Sequence, residues 1–295
     1  MTKLLTFTFI LAILVACNSQ KTSEKYRTDY DGLVIEKFDS TFTKKSTQKN
    51  NSYIPAYMSF DDNRFNQDNK IYKVGRKFVF KYHYIDKKGD TLLYTRGKLN
   101  SENYYGWQFE REDKVDSNSC VSISMTINSG LKPFINQSPD YCQTVFINEY
   151  ILRNGESLGN EMSRIIENPK NVWMHPPRND FFKILEINPF PYIKFPYEIG
   201  NKWTWKLEFG DHWADKRWLL WTGNNENKYN YEITDKIKLK THLGILDCFV
   251  TDGQAISSLG RTYLRSYFSE EFGFVRLDYT NIDGTKTIIE LDDVK

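Results

Sequence analysis

Along much of this chain an aromatic or aliphatic side chain recurs at every second position, and only a β-strand puts such a period on one face. Phe78, Phe80, Tyr82 and Tyr84 alternate with Val79, Lys81, His83 and Ile85. Asp86-Lys-Lys-Gly-Asp90 then reads as a turn, and Thr91 to Thr95 as the returning strand of a hairpin. Val121, Ile123, Met125 and Ile127 alternate with Ser122, Ser124, Thr126 and Asn128, the pattern of a strand with one wet face. Trp203, Trp205, Leu207 and Phe209 repeat it against Thr204, Lys206 and Glu208. Val275, Leu277 and Tyr279 lead to Asp283-Gly284, a hairpin signal because both residues tolerate positive φ, with Thr285 to Leu291 returning. Aromatic residues make up 16% of the chain and support the same reading. The expected fold is mainly β: a curved antiparallel sheet, or open half-barrel, with one or two short helices. Ser157 to Glu167 is one helix candidate, with Met162, Ile165 and Ile166 on one face. The other follows Asn179 as cap, with Phe181, Ile184 and Leu185 at helical spacing. Asn188 to Pro196 holds too many prolines for either element and reads as a connector packed by its aromatics.

The amino end follows different rules. Lys3 is the only charge before an uncharged run from Leu4 to Ala16. A membrane-spanning helix needs about 20 apolar residues, so this shorter run suits the hydrophobic region of a signal peptide. It ends Leu14-Val15-Ala16-Cys17, which resembles the lipobox of bacterial lipoproteins. That resemblance implies a signal peptide over 1–16, cleavage before Cys17 and lipid on the Cys17 thiol, which anchors the chain to a membrane. Residues 17–50 then read as the lipidated cysteine followed by a flexible polar tether. Under the enterobacterial sorting rule Asn18, in place of Asp, points to the outer membrane more than the inner. The Lys-, Asn-, Ile- and Tyr-rich composition looks like that of a Bacteroidota protein. The lack of acidic residues before Glu24 favours the periplasmic face.

Two segments resemble each other. Tyr72-Lys-Val-Gly-Arg-Lys-Phe-Val-Phe-Lys81 aligns with Tyr197-Glu-Ile-Gly-Asn-Lys-Trp-Thr-Trp-Lys206, and Asn100 and Tyr104 meet Asn225 and Tyr229 at the same offset. Two similar β halves, 51–180 and 181–295, explain this; so does a generic likeness of aromatic strands opened by a Gly bend. Pro196 to Trp205, Leu243-Gly-Ile-Leu-Asp-Cys-Phe-Val250 and Tyr267 to Tyr279 together resemble uncharacterised periplasmic proteins of the LolA/LolB-like half-barrel type, over about residues 195–292. That resemblance implies a sheet curled round a greasy concave face with helices plugging it, and transfers no catalytic residue.

Chemistry is sparse. Lys and Arg number 40 against 38 Asp and Glu, with no basic cluster, so nucleic acid is not an expected partner. Nucleotide-binding and nucleophile-elbow fingerprints are missing, and no cofactor or metal is expected. Asp211-His212-Trp213-Ala214-Asp215 reads as a charged hairpin tip before it reads as a metal site. Cys120 and Cys142 are placed to form a disulfide, whereas Cys248, in an apolar run, reads as a buried thiol. His175 and Arg178, in Trp-Met-His-Pro-Pro-Arg, sit on a stiff loop that either presents them to a ligand or simply crosses between the halves. Trp203, Trp205, Trp218 and Trp221 either line a cavity or fill a core; in a strand Trp218 and Trp221 would face opposite sides. Asp39-Ser-Thr41 and Asp90-Thr-Leu92 resemble the short O-glycosylation signal of Bacteroidota. The favoured function is a non-catalytic envelope lipoprotein that binds a hydrophobic or amphiphilic ligand on its curved sheet. The alternative is an assembly subunit docking on another envelope protein. A third reading is a hydrolase using His175 with an unidentified carboxylate.

Overall fold

The computed structural model describes residues 26–28, 32–36, 68–99, 105–130 and 144–295. Cys17, Asp39 to Thr41, Asn100, Tyr104 and Cys142 lie outside them; the stretch read as a flexible tether, 17–50, is described only at 26–28 and 32–36, where it is not a tether but a packed hairpin with Leu33 and Ile35 buried. The alternating segments are strands. β1 (Tyr26–Thr28) and β2 (Val34–Glu36) form a separate small hairpin. The main sheet begins with β3 (Lys77–Ile85), β4 (Thr91–Leu99), β5 (Tyr105–Arg111), β6 (Cys120–Asn128) and β7 (Thr144–Leu152). It continues through β8 (Ser157–Asn168), β9 (Asn171–Met174), β10 (Tyr192–Lys194) and β11 (Lys202–Phe209). It ends with β12 (Asn225–Thr241), β13 (Gly244–Ser257), β14 (Gly260–Ser269), β15 (Gly273–Thr280) and β16 (Lys286–Val294). The spatial order is β10-β9-β8-β7-β6-β3-β16-β15-β14-β13-β12-β11, antiparallel throughout, in a sheet of 14 strands. β3 divides its pairing: Lys77 to Phe80 pair with β6, while Tyr84 and Ile85 pair with β4, which carries β5 away from the main path.

The sheet curls until its two ends almost meet. The Asn201 side-chain amide donates to the carbonyls of Lys194 and Pro196 at 3.1 and 2.9 Å, and Tyr192 of β10 lies edge-on to Trp203 of β11 at 5.5 Å. The two look-alike segments take the same turn. Gly75 and Gly200 both have φ 89°, the left-handed region that favours glycine. In both turns the glycine N–H and the N–H of a facing isoleucine close a reciprocal pair: Gly75 and Arg76 with Ile127, Gly200 and Asn201 with Ile233.

One helix expectation needs correction, and the other holds as a 3-10 helix. Ser157–Asn168 is a strand, because ladders to β7 on one side and β9 on the other satisfy its backbone, and that outweighs a local three-and-four spacing. Residues Asp180–Ile187 form a 3-10 helix rather than an α-helix. Asn179 makes no side-chain cap; the run opens at Asp180 with φ 47°. The connector that follows is packed by Phe190 and Tyr192 as expected, whereas Phe195 is exposed and Tyr192–Lys194 adds a short strand.

This segment is the barrel's plug. Phe181, Phe182, Ile184, Leu185, Ile187, Phe190 and Tyr192 are all at most 2% exposed. Burying such side chains gives on the order of 10 kcal/mol of gross apolar stabilisation, an upper bound because denatured chains also bury surface. The plug's backbone is satisfied by inward-facing polar groups of the wall. Asn227 and Thr262 both donate to the Ile187 carbonyl, at 3.0 and 2.9 Å, and the Tyr231 hydroxyl donates to that of Phe190 at 3.0 Å. Asn188 in turn donates to the Thr280 carbonyl at 3.1 Å. The wall is built to receive this segment.

Candidate functional site

Trp203 and Trp205 stand on the inward face of β11. They stack on Tyr231 and Tyr229 of β12, with ring centroids 5.4 and 4.9 Å apart. Trp205 also meets Trp173 and Phe190. Both belong to the core around the plug. Trp218 and Trp221 are not on a strand: between β11 and β12 the chain makes a short 3-10 turn, Asp211–Trp213, and an isolated bridge between Asp215 and Leu219. Asp215 fixes that tip by accepting from the Arg217 backbone and guanidinium, and Asp211 accepts from the Gly223 N–H. Those carboxylates are therefore engaged in building the turn. Trp218 donates to the Trp213 carbonyl and Trp221 packs on Phe209, both half-buried.

His175 and Arg178 do come together, with two carboxylates the sequence left unidentified. The His175 Nδ1 lies 2.8 Å from the Pro176 carbonyl, so it carries the proton and donates there. Nε2 then faces Glu186 Oε1 at 3.3 Å. Glu186, on the plug, is 3% exposed. Burial pushes its carboxyl up to about 8, against the pull of Arg178. Burial, followed by the nearby Arg178 charge, pushes the imidazole down to about 3. Both groups are neutral near pH 7, and they are close without a hydrogen bond between them: Glu186 Oε1 is buried with no hydrogen-bond partner among the described residues. Glu161 of β8 is held differently. It accepts from Asn148 and the Tyr150 hydroxyl, both at 2.9 Å, and from the Arg178 backbone N–H at 3.1 Å. The Arg178 guanidinium donates to the Met162 carbonyl at 2.9 Å. Desolvation raises the Glu161 carboxyl, and these donors oppose it.

This pairing is largely enclosed, with the His175 side chain 12% exposed and that of Glu186 4%. The void beside His175, lined by Phe80, Met125, Asn148 and Leu277 among others, measures about 20 Å³, room for about one water. Neither a scissile bond nor an acyl chain has space there. Among the described residues no group of His, Cys, Asp and Glu is placed to hold a metal ion. Cys120 is a free, buried thiol pushed up to about 12 by burial; its expected partner Cys142 is not among the described residues. Cys248 is likewise buried and free.

A concavity of about 1160 Å³ lies on the opposite, outward face of β11–β16. Register aligns its lining in rows across the strands. Thr204, Asn230, Gln254, Tyr263, Thr280 and Lys286 form one row, each paired to the next. Strand spacing makes that row about 24 Å long. Beside it Asp252 and Arg265 form a two-pronged ion pair at 2.7 and 2.8 Å, and Arg276 bridges Asp278 and Glu290. Lys202 pairs with Glu232 at 3.1 Å. The charges of the groove are thus largely met within it, whereas the side chains of Asn230, Gln254 and Tyr263 hydrogen-bond to no other group among the described residues. Of this row sequence reasoning picks out Thr204, as a polar alternate of the Trp203 strand, and misses Asn230, Gln254 and Tyr263; only register shows that they adjoin.

Comparisons with known proteins are distant. No family model matches the chain, and no curated protein does. Among solved structures, a candidate lipoprotein from Parabacteroides distasonis shares 12% identity over 76% of this chain and 97% of its own, with a TM-score of 0.39. A candidate exported protein with a YmcC-like fold from Bacteroides fragilis shares 9% over 76% and 97%, TM-score 0.38. The hypothetical lipoprotein YmcC from Escherichia coli shares 8% over 77% and 91%, TM-score 0.29. With every TM-score below 0.5, these likenesses assign neither family nor function.

Proposed function

We propose that this chain is a bacterial envelope lipoprotein, anchored by lipid on Cys17, whose filled barrel is a non-catalytic docking module for another envelope protein. The observation that carries the docking reading is the contrast between the two faces of one sheet. The inward face is occupied by the chain's own plug. The outward face offers a long groove whose amide and phenol groups have no partner among the described residues. A groove about 24 Å long matches an extended peptide of roughly seven residues. Its internally paired charges give little pull on a strongly charged ligand. Its lining mixes apolar surface with amide and phenol groups, as the surface of a peptide does, and this supports a partner protein as the occupant. Asn18 and the composition support an outer-membrane, periplasm-facing protein of Bacteroidota type.

Two measurements test this. Mass spectrometry of the amino-terminal peptide from cell membranes is expected to show acylated Cys17; an unmodified thiol there removes the anchor. A photocrosslinking residue placed at Gln254 or Tyr263 in cells is expected to trap one discrete partner, while one at exposed Lys228, outside the groove lining, does not. Absence of an adduct from both groove positions, or indistinguishable smears from all three, overturns the docking reading.

A further inference from the structure

One end of the barrel gathers apolar side chains that the fold leaves outside. β3 and β11 start there, and β6, β8 and β16 finish there. The turns are stitched together. The N–H groups of Lys70, Ile71 and Tyr72 all donate to the Glu167 carboxylate, and the Tyr72 hydroxyl accepts the Phe274 N–H at 3.1 Å. The Phe195 N–H donates to the Lys170 carbonyl at 3.0 Å. Asn168 and Asn171 both donate to the Val34 carbonyl, which ties the amino-terminal hairpin to the same end. A hollow of about 640 Å³ opens between these turns, with Tyr26, Ile71, Phe195, Tyr197 and Phe268 in its wall. On the turns around it Phe195 and Ile199 are each 63% exposed and Val74 is 50% exposed. Phe195 lines the hollow, Ile199 lies four residues further along the same connection and Val74 sits on the matching turn at the same end, so this end offers apolar side chains to a contacting surface.

The length and origin of the tether say what covers them. Tyr26 begins the hairpin at this end, and only residues 18–25 separate it from Cys17. Even fully extended, that segment reaches about 30 Å. On the lipoprotein reading above, on which this inference rests, the apolar end is therefore held close to the bilayer. Exposed Lys70, Lys73 and Lys170 stand on the same turns, and the tether adds Lys21 and Lys25. Asp68, Glu198, Glu270 and Glu271 stand there too, and the tether carries Glu24, so the charges nearly balance and the apolar side chains carry the contact. We infer that this end is a membrane-contact surface. Val74, Phe195 and Ile199 enter the headgroup region of the membrane that holds the lipid, and the barrel stands on that end with its groove along the flank.

The test uses the lipidated full chain in vesicles of phosphatidylethanolamine and phosphatidylglycerol, in a Cys142→Ser background; Cys120 and Cys248 are buried. A polarity-sensitive dye is attached in separate variants, Phe195→Cys, Ile199→Cys and Leu220→Cys. Leu220, 69% exposed, lies on the loop at the far end of β11 and serves as the apolar control. The dye at 195 and 199 is expected to shift to the blue and to be quenched several-fold more than at 220 by a quencher carried on the lipid. Equal quenching at all three positions, or none at 195 and 199, overturns the contact surface. Failure of the protein to incorporate lipid is read separately, by the mass of the Cys17 peptide. As a second measure, the Phe195→Ser, Ile199→Ser double variant in a Cys17→Ser chain lacking residues 1–16 is expected to lose most of the residual vesicle co-sedimentation of that Cys17→Ser chain alone. Unchanged co-sedimentation counts against the inference.

Discussion

Replacing Glu186 by glutamine should make the protein more stable, and increasingly so as pH rises. Glu186 is 3% exposed, and its carboxyl is raised from 4.5 to about 8, chiefly by burial. Between those values the folded state keeps a proton that the unfolded chain has released. Raising pH through that window therefore favours unfolding, by about 1.4 kcal/mol per pH unit. His175 acts in the other direction. Its folded value lies near 3 against an ordinary 6.5, so stability rises with pH across that lower window. Where the windows overlap the two slopes oppose each other; above the histidine's ordinary value only the glutamate slope remains. In the Glu186→Gln variant the side-chain amide keeps the shape but has no proton to lose in this range. The stability gap between variant and wild type should then widen by about 3 kcal/mol from about pH 5 to pH 7.5. Comparing the two proteins removes every other titrating group. The assay is urea unfolding of both, followed by tryptophan fluorescence, across that range. A gap that stays constant with pH, or narrows, refutes the reasoning and means that the buried pair is ionised.

Further outcomes follow from single contacts. Gly273 has φ 75°, and a Cβ there would lie 2.2 Å from the Tyr72 hydroxyl; Gly273→Ala should cost about 2–4 kcal/mol in the same unfolding assay and lower expression. Tyr231→Phe removes the donor to the Phe190 carbonyl and should cost about 1–3 kcal/mol, which calorimetry at fixed pH can resolve. Arg265→Ala breaks the pair with Asp252, whose side chains are 54% and 38% exposed, so stability should change by less than about 1 kcal/mol. The same variant alters the groove, and should weaken partner crosslinking from Gln254 if that surface is used.

Local pattern reaches some of this architecture and misses some. The Phe78 to Tyr84 hairpin, the Val121 strand, the Trp203 strand and the Asp283-Gly284 turn are legible because each depends on side-chain alternation or on a residue tolerant of positive φ. Met162, Ile165 and Ile166 mislead because their spacing fits a helix, and nothing local records that β7 and β9 flank them. Trp218 and Trp221 mislead for the reverse reason: the Asp215–Arg217 tip removes them from any ladder. His175 and Arg178 stand out through their prolines. Glu161 and Glu186 do not, since an isolated glutamate in a strand or an apolar turn does not announce its burial.

The sequence by itself determined that the chain builds wet-and-dry strands, where several of them turn, and that its first residues read as a lipoprotein signal. Periodicity and backbone preference are properties of neighbouring residues, so they survive without the fold. Only the tertiary structure decided that the concave face is filled from within, that His175 meets a buried acid, and that Asn230, Gln254 and Tyr263 form one row. Each of these depends on strand order, register and enclosure, which bring together residues far apart in the chain and set the dielectric around them.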